Sequence, residues 1–125
     1  YDANLITLRI AAEDSLALVA TAVSRLTREP ARFFGLDVGS IEPGRQADVI
    51  LINPEALKHY DSNANRRMEY HELFENDYLV NRSDGVVEQV YINGVRVWED
   101  AAQFTEALGT RTLGRALTYA GRDDP

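Results

Sequence analysis

The chain has 125 residues, of which 45% are hydrophobic, and this is enough to build the core of one domain or a large piece of one. Its formal charge of -7 argues against nucleic acid or an anionic membrane as a partner, because phosphate binding needs a surplus of lysine and arginine. The lack of cysteine excludes a disulfide framework, a thiolate metal site and a cysteine nucleophile.

Targeting signals are not visible in the sequence. No stretch approaches the roughly 18 apolar residues of a membrane-spanning helix, and no basic leader precedes an apolar run. We therefore expect a cytoplasmic location and no membrane partner. The chain begins at Tyr1 and its one methionine is Met68, so we expect it to be a segment of a longer protein.

Helical periodicity marks the first part of the chain. Residues 3–12 predict a short helix with Asp2 as its N-cap, and Ser15 is placed to cap a second, stronger helix. The apolar residues of that second helix form one stripe, which needs a partner surface. The stripe consists of Leu16, Val19, Ala20, Val23 and Leu26.

Residues 27–53 connect this helical part to a strand. Pro30 suits the first turn of a small helix over residues 30–34, and Gly35 can end it. Pro43 and Gly44 predict a tight turn before the strand. The two aromatic residues at the corner, Phe33 and Phe34, are expected in the core.

The continuous apolar run of Val49–Ile52 predicts a strand that is covered on both faces. Asn53 and Pro54 close this strand, and one helical turn is expected over residues 55–60. From 61 to 82 the composition becomes polar, which predicts a long surface loop with a short helix near 69–75. Its expected anchors are Tyr70, Leu73, Phe74, Tyr78 and Leu79.

The strongest local signal lies near the end of the chain. Runs of β-branched and aromatic residues over 86–92 and 95–98 flank an Asn93–Gly94 pair, which predicts a hairpin with a two-residue type I′ turn. A turn is expected at residues 83–85, and the end at 122–125 is expected to be frayed.

No catalytic apparatus is visible in the residues. A hydrolytic metal site needs several converging His, Asp or Glu ligands, whereas His59 and His71 are 12 residues apart and form neither His-x-His nor His-Glu-x-x-His. The sequence around Ser83 lacks a nucleophile elbow, and Gly109 and Gly114 do not form a phosphate loop. The paired acids are interpreted as solvated surface charge. These pairs are Glu13–Asp14, Glu99–Asp100 and Asp123–Asp124.

Two sequence stretches resemble the carboxy-terminal part of the amidohydrolase superfamily. They are Leu-Thr-Arg-Glu-Pro-Ala-Arg-Phe-Phe-Gly-Leu at 26–36 and Val-Gly-Ser-Ile-Glu-Pro-Gly-Arg-Gln-Ala-Asp-Val-Ile-Leu-Ile-Asn-Pro at 38–54. The Val-Tyr-Ile-Asn-Gly-Val-Arg-Val segment at 90–97 resembles the closing hairpin of that superfamily. Leu-Gly-Arg-Ala-Leu at 113–117 is similar to the tail of the N-acyl-D-amino-acid deacylase (D-aminoacylase) branch.

This resemblance implies an α+β fold class, in which terminal helices of a (β/α)8 metal-dependent hydrolase barrel precede part of a small β-sandwich. Residues 1–36 would be the helical segment from the barrel, and residues 37–125 the β-rich sandwich portion with its loop at 61–82. Zinc or another divalent metal is implied for the parent enzyme. Its ligands would lie upstream, so no catalytic, cofactor-binding or metal residue of this chain carries over from the family.

Two hypotheses follow from the sequence. In the first, the chain is the non-catalytic carboxy-terminal part of a metal-dependent amidohydrolase, and its partner is the remainder of the parent enzyme, with a homo-oligomer also possible. In the second, it is a stand-alone β-rich binding or assembly module that pairs through the strand Val49–Ile52, because an uncovered apolar edge favours strand addition.

Overall fold

The computed structural model describes residues 2–81, 85–100 and 103–118, and it confirms the α+β fold class. Three helices come first along the chain, and the strands follow with one short helix among them. In chain order the elements are α1 (Ala3–Asp14), α2 (Leu16–Leu26), α3 (Arg28–Phe33), β1 (Val49–Ile52), α4 (Pro54–Lys58), β2 (Arg66–His71), a 3-10 turn (Glu72–Phe74), β3 (Asn76–Asn81), β4 (Val87–Ile92), β5 (Val95–Glu99) and β6 (Gln103–Phe104).

The break between α1 and α2 is set by Ser15. Its extended backbone (φ -162°, ψ 156°) ends α1, and its hydroxyl oxygen accepts a hydrogen bond from the Leu18 N–H at 3.2 Å, which confirms the predicted N-cap. Asp2 occupies the predicted N-cap position of α1, but its side chain makes no capping hydrogen bond to the helix. Its carboxylate accepts a hydrogen bond from the Tyr60 hydroxyl instead.

The apolar stripe of α2 remains largely outside the core. Leu16 is 84% exposed and Val23 is 43% exposed, whereas Val19 is half-buried and packs against the core cluster. The buried residue of this helix is Ala22, on the side that contacts α1. A small side chain at that position lets the two helices approach closely and leaves the larger side chains facing outward.

The end of α3 is set by Gly35, as its sequence position predicts. Gly35 has a left-handed backbone (φ 64°), and the following Leu36 N–H donates to the Ala31 carbonyl at 2.8 Å. The aromatic residues at this corner are 76% exposed at Phe33 and 62% exposed at Phe34, so their predicted place in the core is wrong. The two rings contact each other edge to face, with centroids 5.0 Å apart.

A four-stranded antiparallel sheet has the order β1-β4-β5-β6, which places β1 at one edge. Ile50 and Leu51 point to opposite faces of β1 and are 55% and 40% exposed. The expectation that both faces of Val49–Ile52 are covered is therefore wrong for the described residues. The strongest packing of the helices is with one another and with α4, and β1 meets the core cluster through Ile52 at its end.

The hairpin of β4 and β5 confirms the Asn93–Gly94 prediction. Both turn residues have positive φ, 50° at Asn93 and 77° at Gly94, as a type I′ turn requires. The Asn93 N–H donates to Asp48 Oδ1 at 2.7 Å, and the Gly94 N–H donates to the Ala47 carbonyl at 2.8 Å. The residues that lead into β1 thus hold the tip of the hairpin.

The exit from β1 depends on Asn53, with Pro54 at the first position of α4. The Asn53 Oδ1 accepts hydrogen bonds from the N–H groups of Glu55 and Ala56, both at 3.0 Å, and its Nδ2 donates to Glu88 Oε1 at 3.0 Å. One side chain therefore ends the strand, caps the helix and contacts β4.

The predicted loop at 61–82 is wrong for most of its length. Strands β2 and β3 pair in antiparallel register, with Arg66 opposite Asn81 and His71 opposite Asn76, and form a separate two-stranded sheet. Glu75 adopts a left-handed backbone (φ 49°) at the turn, where a 3-10 turn replaces the expected short helix. The expected anchors are exposed, from 43% at Tyr78 to 79% at Leu73. We call residues 66–81 the ribbon.

The core of the described chain lies between the helices and the segment that follows β1. Its members come from α1, α2, α4, the second residue after α4 and the residue before β4, and Ile6 and Ile52 pack against them. The members are Leu8, Ala11, Ala22, Leu57, Tyr60 and Val86. Because most of these side chains are small or come from short elements, much apolar surface remains outside the core.

Two predictions fall on or near residues outside the described part. Of the turn at 83–85, the structure describes Gly85, which has a φ of 78°. Residues 83 and 84 and the end at 122–125 lie outside the described residues. Strand β6, paired with β5, was not expected from the sequence.

Candidate functional site

A cleft of about 360 Å³ lies between α1 and the end of α4. Ile6 and Arg9 form one wall, and residues 58–63 form the other. The second wall contains Lys58, His59, Tyr60, Asp61, Ser62 and Asn63. Arginine, lysine and hydroxyl groups in one concavity are donors suited to an anionic group.

The two cations of the cleft already have carboxylate neighbours. Arg9 Nη1 lies 3.4 Å from Glu13 Oε1, one helical turn along α1, and Lys58 Nζ lies 2.7 Å from Glu55 Oε1. Asp61 adds a further negative charge to the lining and accepts a hydrogen bond from the Asn63 N–H at 2.8 Å. These local pairs offset the positive charge. The cleft is therefore a polar groove between two segments and not a strongly cationic pocket.

A hydrogen-bond network around Tyr60 forms the base of the cleft, and Tyr60 is 5% exposed. Its hydroxyl donates to Asp2 Oδ2 at 2.5 Å and lies 3.4 Å from Asn81 Oδ1. Asn81 Nδ2 in turn donates to Ser62 Oγ at 3.0 Å. The network connects three parts of the chain through hydrogen bonds, namely the start of α1, the segment after α4 and the end of β3.

Ionisation in this network favours a charged Asp2 and a neutral Tyr60. The hydrogen bond from Tyr60, followed by that from Ser62, lowers the pKa of the Asp2 carboxyl below its usual value of 3.8. Burial, followed by the hydrogen bond to Asp2, raises the pKa of Tyr60 to about 12. Asp2 and Tyr60 therefore keep the protonation states that this hydrogen bond needs throughout the neutral pH range.

The two histidines occupy different parts of the fold. His59 follows α4 and lines the cleft, whereas His71 ends β2 and contacts Phe74, with ring centroids 4.8 Å apart. Within residues 2–81, 85–100 and 103–118, no three metal-ligating side chains converge. Zinc or another divalent metal is implied by the resemblance for the parent enzyme, with ligands upstream of this chain, and this stays a prediction.

The acidic pairs have local structural partners. Glu13 pairs with Arg9, Glu99 lies 3.2 Å from Arg96 Nη1, and Asp100 Oδ1 accepts from the Gly85 N–H at 3.2 Å. Their interpretation as surface charge agrees with these contacts. Residues 83, 84, 123 and 124 lie outside the described part.

The structure adds a feature that motif searching missed, which is the amount of exposed apolar surface. Leu16 of α2, Phe33 of α3 and Ile41 of the following turn are 84%, 76% and 87% exposed. Where such side chains form a contiguous patch, they mark an interaction surface in a folded protein. The signal in the sequence was the apolar stripe of α2, which the first helices of this chain do not bury.

Comparison with protein families identifies the class of protein. Residues 3–97 match the model of the amidohydrolase family, so the match extends from the start of α1 into β5. The chain therefore belongs to the amidohydrolase family, a family of hydrolases. No curated protein and no solved structure shows a significant match to the chain.

The helices bear on one further prediction. Among the residues that the structure describes, no helix has the length and apolar character needed to cross a membrane.

Proposed function

We propose that this chain is the non-catalytic carboxy-terminal part of a metal-dependent amidohydrolase that hydrolyses amide C–N bonds. The family match over residues 3–97 supports the hydrolase origin. The similarity of residues 113–117 to the tail of the N-acyl-D-amino-acid deacylase branch favours N-acyl-D-amino acids as the substrates of the parent enzyme.

The observation that carries this proposal is the apolar surface left exposed at the two ends of the segment that runs from α2 to β1. On one side, α2 presents Leu16 and Val23, and on the other, Ile50 and Leu51 are exposed on opposite faces of β1. Full burial of a side chain of this size contributes about 1.5–3 kcal/mol relative to full exposure, and each of these side chains forgoes a part of that contribution. Surfaces of this kind are typical of elements that pack against further parts of a larger fold.

The two exposed surfaces fit two different neighbours. Residues 1–36 would pack their helical stripe against the barrel, and residues 37–125 would extend a β-sandwich through the edge of β1. In this arrangement the chain shapes and supports the parent enzyme, and the metal ligands come from the remainder of that enzyme. The remainder of the parent enzyme is then its principal partner, in the cytoplasm.

Metal analysis and an activity assay of the purified 125-residue chain test this function. We expect less than one-tenth equivalent of zinc, manganese or cobalt after incubation and gel filtration, and no hydrolysis of N-acetyl-D-amino acids above the uncatalysed rate. A stoichiometric metal with turnover would overturn the non-catalytic role. His59→Ala and His71→Ala are matched controls, because any activity of this chain that uses either histidine must fall in one of them.

A second function is favoured by the position of β1 at the edge of its sheet. In the described part of the chain β1 pairs with β4 alone, so its outer backbone groups are available to another strand. The chain would then be a β-rich assembly module. Hydrogen exchange discriminates between the two functions, since outer-edge amides of Val49–Ile52 that become protected as concentration rises favour assembly, and unprotected amides at all concentrations contradict it.

A further inference from the structure

The ribbon has two faces of different character. Cross-strand partners in antiparallel register share a face, and residues two apart on one strand do so as well. On one face, Met68 lies opposite Leu79 and Tyr70 lies opposite Asp77, and the three apolar side chains are 60%, 63% and 62% exposed in the order Met68, Leu79, Tyr70. We call this the bare face. It consists of Arg66, Met68, Tyr70, Asp77, Leu79 and Asn81.

The opposite face of the ribbon has aromatic and ionic contacts of its own, and its Tyr78 and Phe74 side chains are 43% and 60% exposed. The Phe74 ring from the 3-10 turn lies against His71 and Tyr78, with centroid distances of 4.8 and 5.8 Å. Arg67 Nε contacts Glu69 Oε1 at 2.9 Å on the same face. The aromatic rings and the charged pair there contact one another within the ribbon. The central apolar residues of the bare face, Met68 and Leu79, are 60% and 63% exposed.

The ribbon needs support from a further surface. Among the described strands, β2 and β3 pair with each other and not with the four-stranded sheet. A two-stranded ribbon on its own is marginally stable in water, and packing of one apolar face is the usual source of additional stability. The bare face is the surface that such packing would use.

The charges on the bare face indicate which partner fits. Arg66 lies at the base of the ribbon and Asp77 near its tip, each about 7 Å along the strands from the central Met68–Leu79 pair. Two bare faces in antiparallel contact, related by a two-fold axis over this pair, bring Arg66 of each copy over Tyr70 and beside Asp77 of the other. Opposite charges and a cation–π contact then form twice. A parallel arrangement would instead place like charges together.

We propose that the bare face is a self-association surface, which docks antiparallel on the bare face of a second copy of this chain. The interface is isologous, so each favourable contact occurs twice. The face is only about 20 Å long and 10 Å wide, smaller than the roughly 800 Å² per partner of a stable complex. The dimer is accordingly weak, reversible and dependent on concentration and salt. This inference does not depend on the proposed function.

Charge reversal on the bare face tests the proposal in the 125-residue chain. Sedimentation velocity from micromolar to millimolar concentration should show a monomer–dimer equilibrium, weakened at high salt. Arg66→Glu and Asp77→Arg should each weaken dimerisation at least tenfold. A mixture of the two variants should form a heterodimer, and the double variant R66E/D77R should again form a homodimer, because both restore opposite charges at each contact.

Arg67→Glu is the matched control, since it reverses the neighbouring charge on the opposite face and should change the dimer dissociation constant by less than about twofold. Recovery in the mixture cannot arise from misfolded variants, so folding defects do not mimic the expected result. A wild-type chain that stays monomeric throughout overturns the proposal, and so does a dimer that charge reversal does not weaken, as expected for strand addition at a sheet edge. The proposal is also overturned if the single charge reversals weaken the dimer but neither the mixture nor the double variant restores it.

Cross-linking tests the antiparallel orientation independently. The chain has no cysteine, so a single thiol can be introduced without background. Met68→Cys, at the centre of the bare face, should form cross-linked dimers with a short bismaleimide. Leu73→Cys, which is 79% exposed at the tip, should not, because antiparallel ribbons hold their tips at opposite ends. Efficient linking of the tips would contradict the proposed orientation.

Discussion

Gly39 shows how a single residue fixes the course of the chain after α3. Its backbone is left-handed (φ 84°), and a Cβ at this position would lie 2.7 Å from the Thr27 carbonyl oxygen. That oxygen also accepts the hydrogen bond of the Ala31 N–H at 3.2 Å, so it cannot move without loosening α3. The missing side chain therefore lets the segment before β1 lie against the junction of α2 and α3.

Gly39→Ala is expected to reduce the free energy of unfolding by about 3 kcal/mol or more, because backbone strain and a clash with backbone atoms add together. Gly44→Ala is the matched control, since Gly44 has nearly the same φ of 85° and no neighbouring atom within 4 Å of the added Cβ. It should cost only the left-handed strain of about 1–2 kcal/mol. Urea denaturation of both variants measures the difference, and equal losses would show that the contact with Thr27 is unimportant.

Tyr60 links stability to pH at both extremes. Folding raises the pKa of Tyr60 from 10.0 to about 12, so the folded chain keeps a proton that the unfolded chain releases. Stability is therefore lost as the pH rises from about 10 to 12, by up to about 1.4 kcal/mol per pH unit. Folding lowers the pKa of Asp2, so the unfolded chain takes up a proton first as the pH falls below 3.8, and stability decreases there as well.

Tyr60→Phe should remove this alkaline loss and make the acid loss shallower. At neutral pH the variant should be less stable by about 1 kcal/mol, because the hydrogen bond to the Asp2 carboxylate is lost. Thermal unfolding between pH 2 and 11 measures the loss of stability at acid pH and at alkaline pH. Tyr70→Phe, at a phenol 62% exposed, should follow the unmodified chain throughout. If Tyr60→Phe loses stability at alkaline pH as the unmodified chain does, another titrating group must cause that loss.

At the scale of elements, α1 and α2 differ in how they use their leucines. Leu8 of α1 is 8% exposed within the core cluster, whereas Leu16 of α2 is 84% exposed. Both residues are leucines in helices, so the same change to alanine alters helix propensity by nearly the same amount at both sites. A difference between the two variants therefore reports the difference in burial. The comparison separates side chains that stabilise this chain by burial from those that are exposed and contribute little to its stability.

Leu8→Ala should cost about 2–5 kcal/mol of stability through lost burial and a cavity, and Leu16→Ala should change stability by no more than about 0.5 kcal/mol. Guanidinium denaturation of the two variants measures both effects. A loss above about 1 kcal/mol in Leu16→Ala would show that the α2 stripe is already covered in this chain, and would weaken the proposal that it packs against the barrel.

For the whole molecule, the division into a four-stranded sheet and a separate ribbon predicts unequal local stability. Strand β4 lies between β1 and β5, and Val86 beside it belongs to the core cluster. The ribbon shares the Tyr60 network through Asn81, but its middle and tip are exposed. Opening of the ribbon should therefore need much less free energy than opening of β4.

Native-state hydrogen exchange at low concentration should find amides of Val87–Ile92 exchanging at least tenfold more slowly than hydrogen-bonded amides of Arg66–His71. Raising the chain concentration should slow exchange in the ribbon selectively if its bare face dimerises. Equal protection in both segments at low concentration would show that the ribbon and the sheet unfold as one unit.

Local sequence signals determined the features that depend on neighbouring residues. The cap at Ser15, the helix stop at Gly35 and the type I′ turn at Asn93–Gly94 were each predictable, because a backbone conformation or a hydrogen bond within a few residues decides them. The same reasoning placed β1, β4 and β5 nearly to their observed ends. Family membership likewise followed from a contiguous pattern across residues 27–53, which connect the helical part to β1.

Tertiary structure alone decided which surfaces are buried. The predicted loop became the ribbon because the polar residues of β2 and β3 find partners across the strands, a pairing that alternation of hydrophobic residues does not reveal. Tyr60 meets Asp2 across 58 residues of sequence, and Phe33 and Phe34 face outward because the described core forms elsewhere. Apolar character is fixed by the sequence, but burial depends on which elements meet in space, and here several apolar faces still lack a neighbour in the described chain.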